Sequence, residues 1–493
     1  MGIREYGIGA IGKQRNMLLT LAFRHLMVRP GRALVLLLGY ALGVGVMIVL
    51  LSVGEAMLDQ SRDVSLVGGG EVTVLPEGID IEAMRTGGLA GMFFSIDRAR
   101  FLTRQLIGGP RWRGTVRTVS PVMERKLLYL EHGGRLVAVR AGAEIPSRAA
   151  AMGVAIDLRA GQWQDTPADS AYVAPDPDQL YHELDHFHRN ATGDSTWAEW
   201  HYFNLEAGPG DWWYLTFLVG GDVPNGRWGG QVLVTHHFPD GRLARYQTDV
   251  PPSRIAFDTA RADLTVGPAS VHQDNGRYTL HISDLSDLSV DLNITPAANR
   301  YFPAVLLRED ALLSGYVVPA LSATATGRIC AGNRCQVIRG NPAYHDHNWG
   351  VWREVSWDWG SGRGATFNLL YGGVHPAAGT GGGGTGSLFV ALVDSLGVRQ
   401  VFRTPRILYS GARAVPQAPG LRAPAAFEFV AVREGDTVRV VTEIDEVQAT
   451  RRQVGTGATW FLQMRGRFRL RGTVAGAVAA DSGTGFFETY LPG

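Results

Sequence analysis

Asn341-Pro342-Ala343-Tyr344-His345-Asp346-His347-Asn348-Trp349-Gly350-Val351-Trp352 puts a phenol, two imidazoles, a carboxylic acid, an amide and two indoles into one short stretch. Pro342 and Gly350 bracket it as turn signals. An extended chain from Ala343 to Trp349 sends alternate side chains to opposite faces. Tyr344, Asp346 and Asn348 then share one face, and His345, His347 and Trp349 the other. The first face offers an acid flanked by hydrogen-bonding groups inside a cavity, and the second anchors the strand. Aromatic clusters elsewhere answer this stretch: Trp197 to Phe203, Asp211-Trp212-Trp213-Tyr214 and Trp357-Asp358-Trp359.

Outward from that strand, short alternating runs dominate. Tyr214–Val219, Gln231–His236, Arg242–Thr248, Arg277–Ile282, Ala426–Val430, Val438–Ile444 and Arg467–Arg471 all alternate. Pro239-Asp240-Gly241 and Glu434-Gly435-Asp436 supply tight turns between pairs of them. Regular short strands with such turns predict a mostly β protein built as a sandwich or barrel. More than 300 residues of this pattern exceed one small barrel, so two are expected in tandem, at 178–312 and 313–493. A Pro/Asp/Ala-rich linker from Trp163 to Asp178 precedes them. Thr380 to Gly386 reads as a glycine-rich surface connection.

The 493-residue chain is nearly neutral, with 47 Lys+Arg against 46 Asp+Glu. That balance excludes the basic field of a nucleic-acid binder. Ala33 to Gly54 is free of charge and long enough to cross a hydrocarbon core of about 30 Å. Arg4, Lys13, Arg15, Arg24, Arg29 and Arg32 precede it, and Glu55 and Asp59 follow. The positive-inside rule puts residues 1–32 in the cytoplasm and the rest outside, as a single-pass protein of the inner membrane. A cleaved signal peptide is the rival reading; its apolar core runs to only about 7–15 residues. Cys330 and Cys335 flank an Ala-Gly-Asn-Arg turn, and a disulfide across that hairpin suits an oxidising compartment.

The start of the chain resembles the first transmembrane segment of MacB/FtsX-type ABC transporter permeases, through Leu21-Ala22-Phe23-Arg24-His25-Leu26, Arg29-Pro30-Gly31-Arg32 and the apolar span. Residues 55–166 are similar to the start of the extracytoplasmic domain of such permeases, with a Val119-Ser120-Pro121 turn and strands around Lys126–Tyr129 and Leu136–Val139. The resemblance makes ABC transporter components candidate partners. The three further spans that such permeases carry are absent from this sequence.

Three words stand in this order along the chain: Glu199-Trp200-His201-Tyr202, Tyr344 to Gly350, and Gly485-Phe486-Phe487-Glu488-Thr489-Tyr490. In this order they resemble the carotenoid 1,2-hydratase (hydroxyneurosporene synthase) and AttH lipocalin-like family, over roughly Tyr181 to Gly493. The resemblance implies two lipocalin-like β-barrels, an apolar isoprenoid or lipid ligand, and chemistry without a metal or organic cofactor. It places the essential Tyr and Asp on Tyr344 and Asp346. Adding water to an isolated alkene needs a proton on carbon, then capture of the tertiary cation by water. The acid must be neutral at working pH and dry, which burial achieves by raising a carboxyl pKa. Ring faces steady a cation without attacking it. Asp346 is therefore expected to be the proton donor and Tyr344 to orient it or position water. Glu199, Trp200 and Tyr202 are expected in the pocket wall from the facing barrel, with Asn348 and Trp349 beside the acid. The family's upstream His-x-Trp pair is replaced here by Ser314-Gly315-Tyr316-Val317-Val318-Pro319, and Tyr316 is the candidate substitute. The alternative is a non-enzymatic hydrophobic-ligand-binding accessory protein of an ABC-type lipid or lipoprotein transport system.

Other polar clusters read as structural. His345 and His347 sit two apart with no third ligand evident in the sequence, so hydrogen bonding is expected there. His182, His186 and His188 read as a solvated polar helix ahead of the first barrel, and His236-His237 as surface. No glycine-rich phosphate loop or Gly-x-Ser-x-Gly elbow is present, which leaves no basis for nucleotide dependence or serine hydrolysis.

Overall fold

Alternating side-chain burial runs through most of the strands. In Leu288–Pro296 buried and less buried residues alternate along the strand, as a half-buried pleat requires. The structure, a computed structural model, describes residues 24, 27–62, 72, 74, 96–112, 114–152, 164–173, 184–189, 193–309, 312–351, 355–376, 388–404, 406–416, 418–454 and 457–492. The glycine-rich stretch Thr380 to Gly386, much of the permease-like segment, and His182 lie outside the described residues.

The chain divides into two units. The first comprises Met1–Phe93 and Ser120–Gln164. It contains α1 (Pro30–Arg62), with no buried residue from Pro30 to Gly54 and apolar enough to cross a membrane. Its uncharged stretch from Ala33 to Gly54 would rise about 33 Å as a helix. The same unit holds a hairpin of β1 (Val122–His132) and β2 (Arg135–Glu144). Gly133 and Gly134 turn it with φ of 57° and 73°, the left-handed pair that a two-residue hairpin demands. These strands extend the two predicted around Lys126–Tyr129 and Leu136–Val139.

The second unit comprises Phe94–Val119 and Asp165–Gly493. Helix α2 (Ile96–Gly108) belongs to it, although its residues fall within the 55–166 stretch read as a single segment. Phe101 meets Tyr301 edge-on at 6.1 Å, and Arg111 pairs with Asp394 at 2.7 Å. Those contacts join α2 and the turn after it to residues far along the chain.

Two barrel-like sheets follow, as expected for a mostly β chain. The first has twelve strands. They are β3 (Trp197–Gly208), β4 (Asp211–Asp222), β5 (Arg227–His237), β6 (Leu243–Val250), β7 (Ile255–Phe257), β8 (Asp263–Val266), β9 (Ala269–Asp274), β10 (Arg277–Leu285), β11 (Leu288–Pro296), β12 (Phe302–Glu309), β13 (Leu312–Ala331) and β14 (Arg334–Val351). The order is β6-β5-β4-β3-β14-β13-β11-β10-β9-β8-β7, with β12 also on β13. The second has nine strands. They are β15 (Val355–Gly364), β16 (Asn368–Pro376), β17 (Leu388–Asp394), β18 (Gly397–Thr404), β19 (Leu408–Ser410), then, past a small ribbon of β20 (Arg413–Ala414) and β21 (Arg422–Ala423), β22 (Ala426–Arg433), β23 (Asp436–Val454), β24 (Gly457–Val474) and β25 (Ala477–Pro492). Here β18 also pairs with β22, through Arg403 and Val432, which closes the sheet on itself.

The changeover between sheets lies between Val351 and Val355, not at 312/313 as read from the sequence. The long hairpin β13–β14 stays in the first sheet because β14 returns to pair with β3. Tyr344 and Asp346 accordingly belong to the first barrel. Cys330 and Cys335 face each other at the tip of that hairpin and are joined as a disulfide.

Each sheet encloses its own apolar core. Phe203, Phe217, Val234, Tyr278 and Leu292 are among the residues filling the first, and Tyr371, Phe402, Phe427, Phe468 and Phe487 among those filling the second. A third cluster joins the sheets: Tyr202, Tyr214, Tyr316 and Tyr344 from the first meet Trp359, Leu370, Phe389 and Phe486 from the second. Gly315 is the close approach that seats one end of β14. A Cβ there would lie 2.1 Å from the Trp349 indole, far inside contact distance. Gly315→Ala is expected to destabilise the fold by about 1–3 kcal/mol through overpacking, measured as a lower denaturant midpoint; an unchanged midpoint contradicts this packing.

Candidate functional site

Strand β14 runs antiparallel to β3 with Tyr344 opposite Asn204, Asp346 opposite Tyr202 and Asn348 opposite Trp200. Opposite residues in such a pair share a face. Tyr344, Asp346 and Asn348 therefore line up with Asn204, Tyr202 and Trp200, and Tyr316, opposite Asn348 on β13, joins them. This face looks toward the second sheet. Trp200 and Tyr202 lie on the neighbouring strand of the same sheet and not on a facing barrel. The facing side is supplied by Trp359 and Phe389, with Phe486 beside Tyr202 and Tyr214.

Asp346 is 4 % exposed. Its Oδ1 accepts a hydrogen bond from Asn348 Nδ2 at 2.7 Å. The Tyr344 hydroxyl is hydrogen-bonded to the same carboxyl. Trp359 Nε1 donates to the Tyr344 hydroxyl at 3.1 Å, so that oxygen's own hydrogen is left for Asp346. Burial pushes the Asp346 carboxyl well above the usual carboxylate range; the charge of Glu488 adds to this, while the bonds from Tyr344 and Asn348 oppose it. Burial, and then the neighbouring Asp346, likewise push the Tyr344 phenol up. A carboxyl whose neutral form burial favours, oriented by a phenol that is itself held by an indole, is thus placed among aromatic rings.

Glu488 is a site residue that sequence reasoning did not single out. It accepts hydrogen bonds from Trp357 Nε1 at 2.9 Å and Gln463 Nε2 at 3.3 Å. It stood inside the C-terminal word Gly485 to Tyr490, but nothing in the sequence brings β25 toward β14. Trp359 reads from the sequence only as one of an aromatic pair, and its bond to Tyr344 depends on the packing of the two sheets.

Glu199 and Trp349 depart from the expected pocket wall. They face each other on β3 and β14, but on the side of His345 and His347. Glu199 Oε1 lies 2.7 Å from His347 Nε2 and 3.1 Å from His188 Nδ1. Trp349 stacks on His188 with ring centroids 3.5 Å apart. The cause is the pleat: each is an odd number of positions from the residues facing the second sheet.

His345 and His347 are hydrogen-bonded, as expected, and the structure also gathers partners that the sequence kept far apart. Asp185 reaches His345 Nε2 at 2.9 Å and His347 Nδ1 at 2.8 Å. Burial opposes ionisation of Asp185, yet His201, His345 and His347 together hold its carboxyl well below the usual range. Burial opposes ionisation of Glu199 too, but the bonds from His188 and His347 bring it down to about 2. Between the two carboxylates His347 is raised to about 9, against the effect of burial. His186 and His188 are not on the solvated helix read from the sequence, because the stretch after Asp185 is non-helical and Asp185 is drawn into this network. His236 and His237 are buried, not on the surface, with His236 Nε2 bound to Asp211 at 2.6 Å.

Two depressions, of about 580 and 460 Å³, are lined by Trp228, Gly230 and Val250 among others, and by Thr279, Asp291 and Arg328 among others. Neither includes Tyr344 or Asp346.

No family model and no curated protein matches the chain. Solved structures are similar in fold. An AttH-type protein from Nitrosomonas europaea is 16% identical, over 59% of this chain and 91% of that one, with a TM-score of 0.41. Kievitone hydratase from Nectria haematococca is 13% identical, over 64% of this chain and 93% of that one, with a TM-score of 0.43. CghA with Sch210972 is 12% identical, over 60% of this chain and 89% of that one, with a TM-score of 0.46. These are likenesses of fold, and no functional conclusion rests on them.

The buried acid has a consequence for stability. A carboxyl whose folded pKa is raised contributes stability that is full below its unfolded value, near 3.9, and is lost as pH rises toward the folded value. Relative to Asp346→Asn, the wild type should therefore lose ground with rising pH, by about 1.4 kcal/mol for each unit between the two values. Denaturant midpoints of both proteins from pH 4 to 8 check this; a constant difference contradicts a neutral Asp346.

Proposed function

We propose that this chain is a membrane-anchored, cofactor-independent hydratase of the carotenoid 1,2-hydratase type, acting on a C=C bond of an apolar isoprenoid. The observation that supports it best is the relay from the Trp359 indole through the Tyr344 hydroxyl to the buried Asp346 carboxyl, set among aromatic rings. Asp346 transfers its proton to the less substituted alkene carbon, where the π pair forms the new C–H bond. The tertiary cation left behind lies against aromatic ring faces. Water adds to that carbon and returns a proton to the Asp346 carboxylate, so the acid is restored and no cofactor is consumed. Tyr344 holds the carboxyl in position and donates to it while it is ionised. Tyr316 stands where the resembled family has its upstream aromatic pair; it stacks on Phe389 at 5.3 Å and meets Trp359 edge-on at 5.1 Å. Helix α1 would hold the module beside membrane-dissolved substrate, with the barrels on the extracytoplasmic side.

A second reading is favoured by the tight packing over Asp346. A closed cluster at this position suits a hydrophobic-ligand-binding accessory protein of an ABC-type lipid or lipoprotein system, in which Asp346 and Tyr344 brace two sheets.

Detergent-solubilised protein incubated with lycopene or neurosporene separates these readings by the mass gain of one water. Asp346→Asn should lower product formation at least about 100-fold, the usual minimum for a general acid, while far-UV circular dichroism stays unchanged. Equal product from both proteins removes Asp346 from the mechanism. No product from either, with equal retention of the apolar ligand, supports the accessory reading.

A further inference from the structure

Behind the face that carries Asp346, inside the first sheet, lie two donor arrangements that the hydratase reading does not use. Asp185, His201 and His345 present one oxygen and two nitrogens, all within 4.8 Å of one another, and all three residues are buried. Asp185 comes from the segment leading into the first sheet, His201 from β3 and His345 from β14.

Two features of this group bear on what it could hold. His345 Nδ1 lies 3.0 Å from the Tyr202 carbonyl oxygen, and its Nε2 lies 2.9 Å from Asp185 Oδ2. Both neighbours are acceptors. A ring with one proton satisfies one of them and turns a lone pair on the other. His201 Nδ1 is 1 % exposed by residue, has no hydrogen-bond partner, and points to the same Asp185 oxygen from 3.6 Å. A buried ring nitrogen without a partner is costly and calls for an explanation.

We propose that Asp185 Oδ2, His201 Nδ1 and His345 Nε2 bind a divalent first-row cation of the zinc class. Bonds of about 2.0–2.2 Å in a tetrahedral ion set its ligands about 3.4 Å apart. The Asp185–His345 and Asp185–His201 separations of 2.9 and 3.6 Å bracket that value, and the three donor atoms all lie within 4.8 Å of one another. The His345 Nδ1–H bond to the Tyr202 carbonyl fixes the tautomer that leaves Nε2 free to ligate. Asp185 keeps its other oxygen for His347, which passes on to Glu199 as an outer layer of hydrogen bonds. Phe203 stacks on His345 at 3.9 Å and Tyr278 meets it edge-on at 4.7 Å, so the ion is walled by rings and braces three chain segments. The neighbouring trio His188, Glu199 and His347 is the lesser candidate, because both of its rings already bond Glu199 Oε1, whereas His201 Nδ1 has no partner.

The test uses the full chain in detergent, stripped with a chelator, reloaded with Zn²⁺ and desalted, with bound metal counted by mass spectrometry. About one equivalent is expected in the wild type. His201→Gln should retain less than a tenth of that; His201 Nδ1 makes no hydrogen bond, so its loss leaves the fold intact by circular dichroism. His272→Gln, exposed and outside the cluster, should retain the full equivalent. Replacement by Co²⁺ should give the visible absorption of a tetrahedral site in the wild type and not in His201→Gln. A folded wild type that retains no Zn²⁺, or a His201→Gln protein that retains as much as wild type, overturns the proposal.

Discussion

The pairing of β3 with β14 is the constraint from which both polar arrangements follow. Its register sets Asp346 against Tyr202 and His347 against His201, so one ladder of backbone hydrogen bonds aligns two chemically different faces. A slip of one residue would exchange them, bringing imidazoles against the second sheet and the acid into the first core. The faces also select their neighbours. Aromatic residues of both sheets close over the Asp346 side, while carboxylates and ring stacks complete the histidine side.

The two faces handle buried charge in opposite ways. On the histidine side, Asp185 and Glu199 remain ionised because imidazoles and backbone N–H groups meet their oxygens. On the other, burial and the nearby Glu488 outweigh the Tyr344 and Asn348 donors and the charge of His347, and the Asp346 carboxyl is pushed up. A few ångströms of pleat separate an ion network from a neutral acid. The difference lies in the number of donors and cations around each carboxyl, since both sites are buried.

The alternation of the motif was legible in the sequence. Tyr344, Asp346 and Asn348 on one side and His345, His347 and Trp349 on the other follow from the period of two, once the stretch is read as a strand. The turns at Asp240-Gly241 and Glu434-Gly435 were legible for a similar reason, since glycine takes the left-handed conformation without cost. The Ser286-Asp287 turn between β10 and β11 has the same positive φ values without glycine and carried no comparable signal.

By itself the sequence determined the β class, the presence of two barrel-like sheets, the apolar helix α1, and which motif side chains share a face. These depend on local periodicity, turn chemistry and unbroken apolar length, all of which act over a few residues. The tertiary structure alone decided that the sheets change over after Val351, that Glu199 belongs with the histidines, that Trp359 and Glu488 attend the acid, and that Asp185 closes on His201 and His345. The side-chain contacts among these join residues from 11 to 160 positions apart. Strand order and sheet-on-sheet packing bring them together, and neither is written in the spacing of nearby residues.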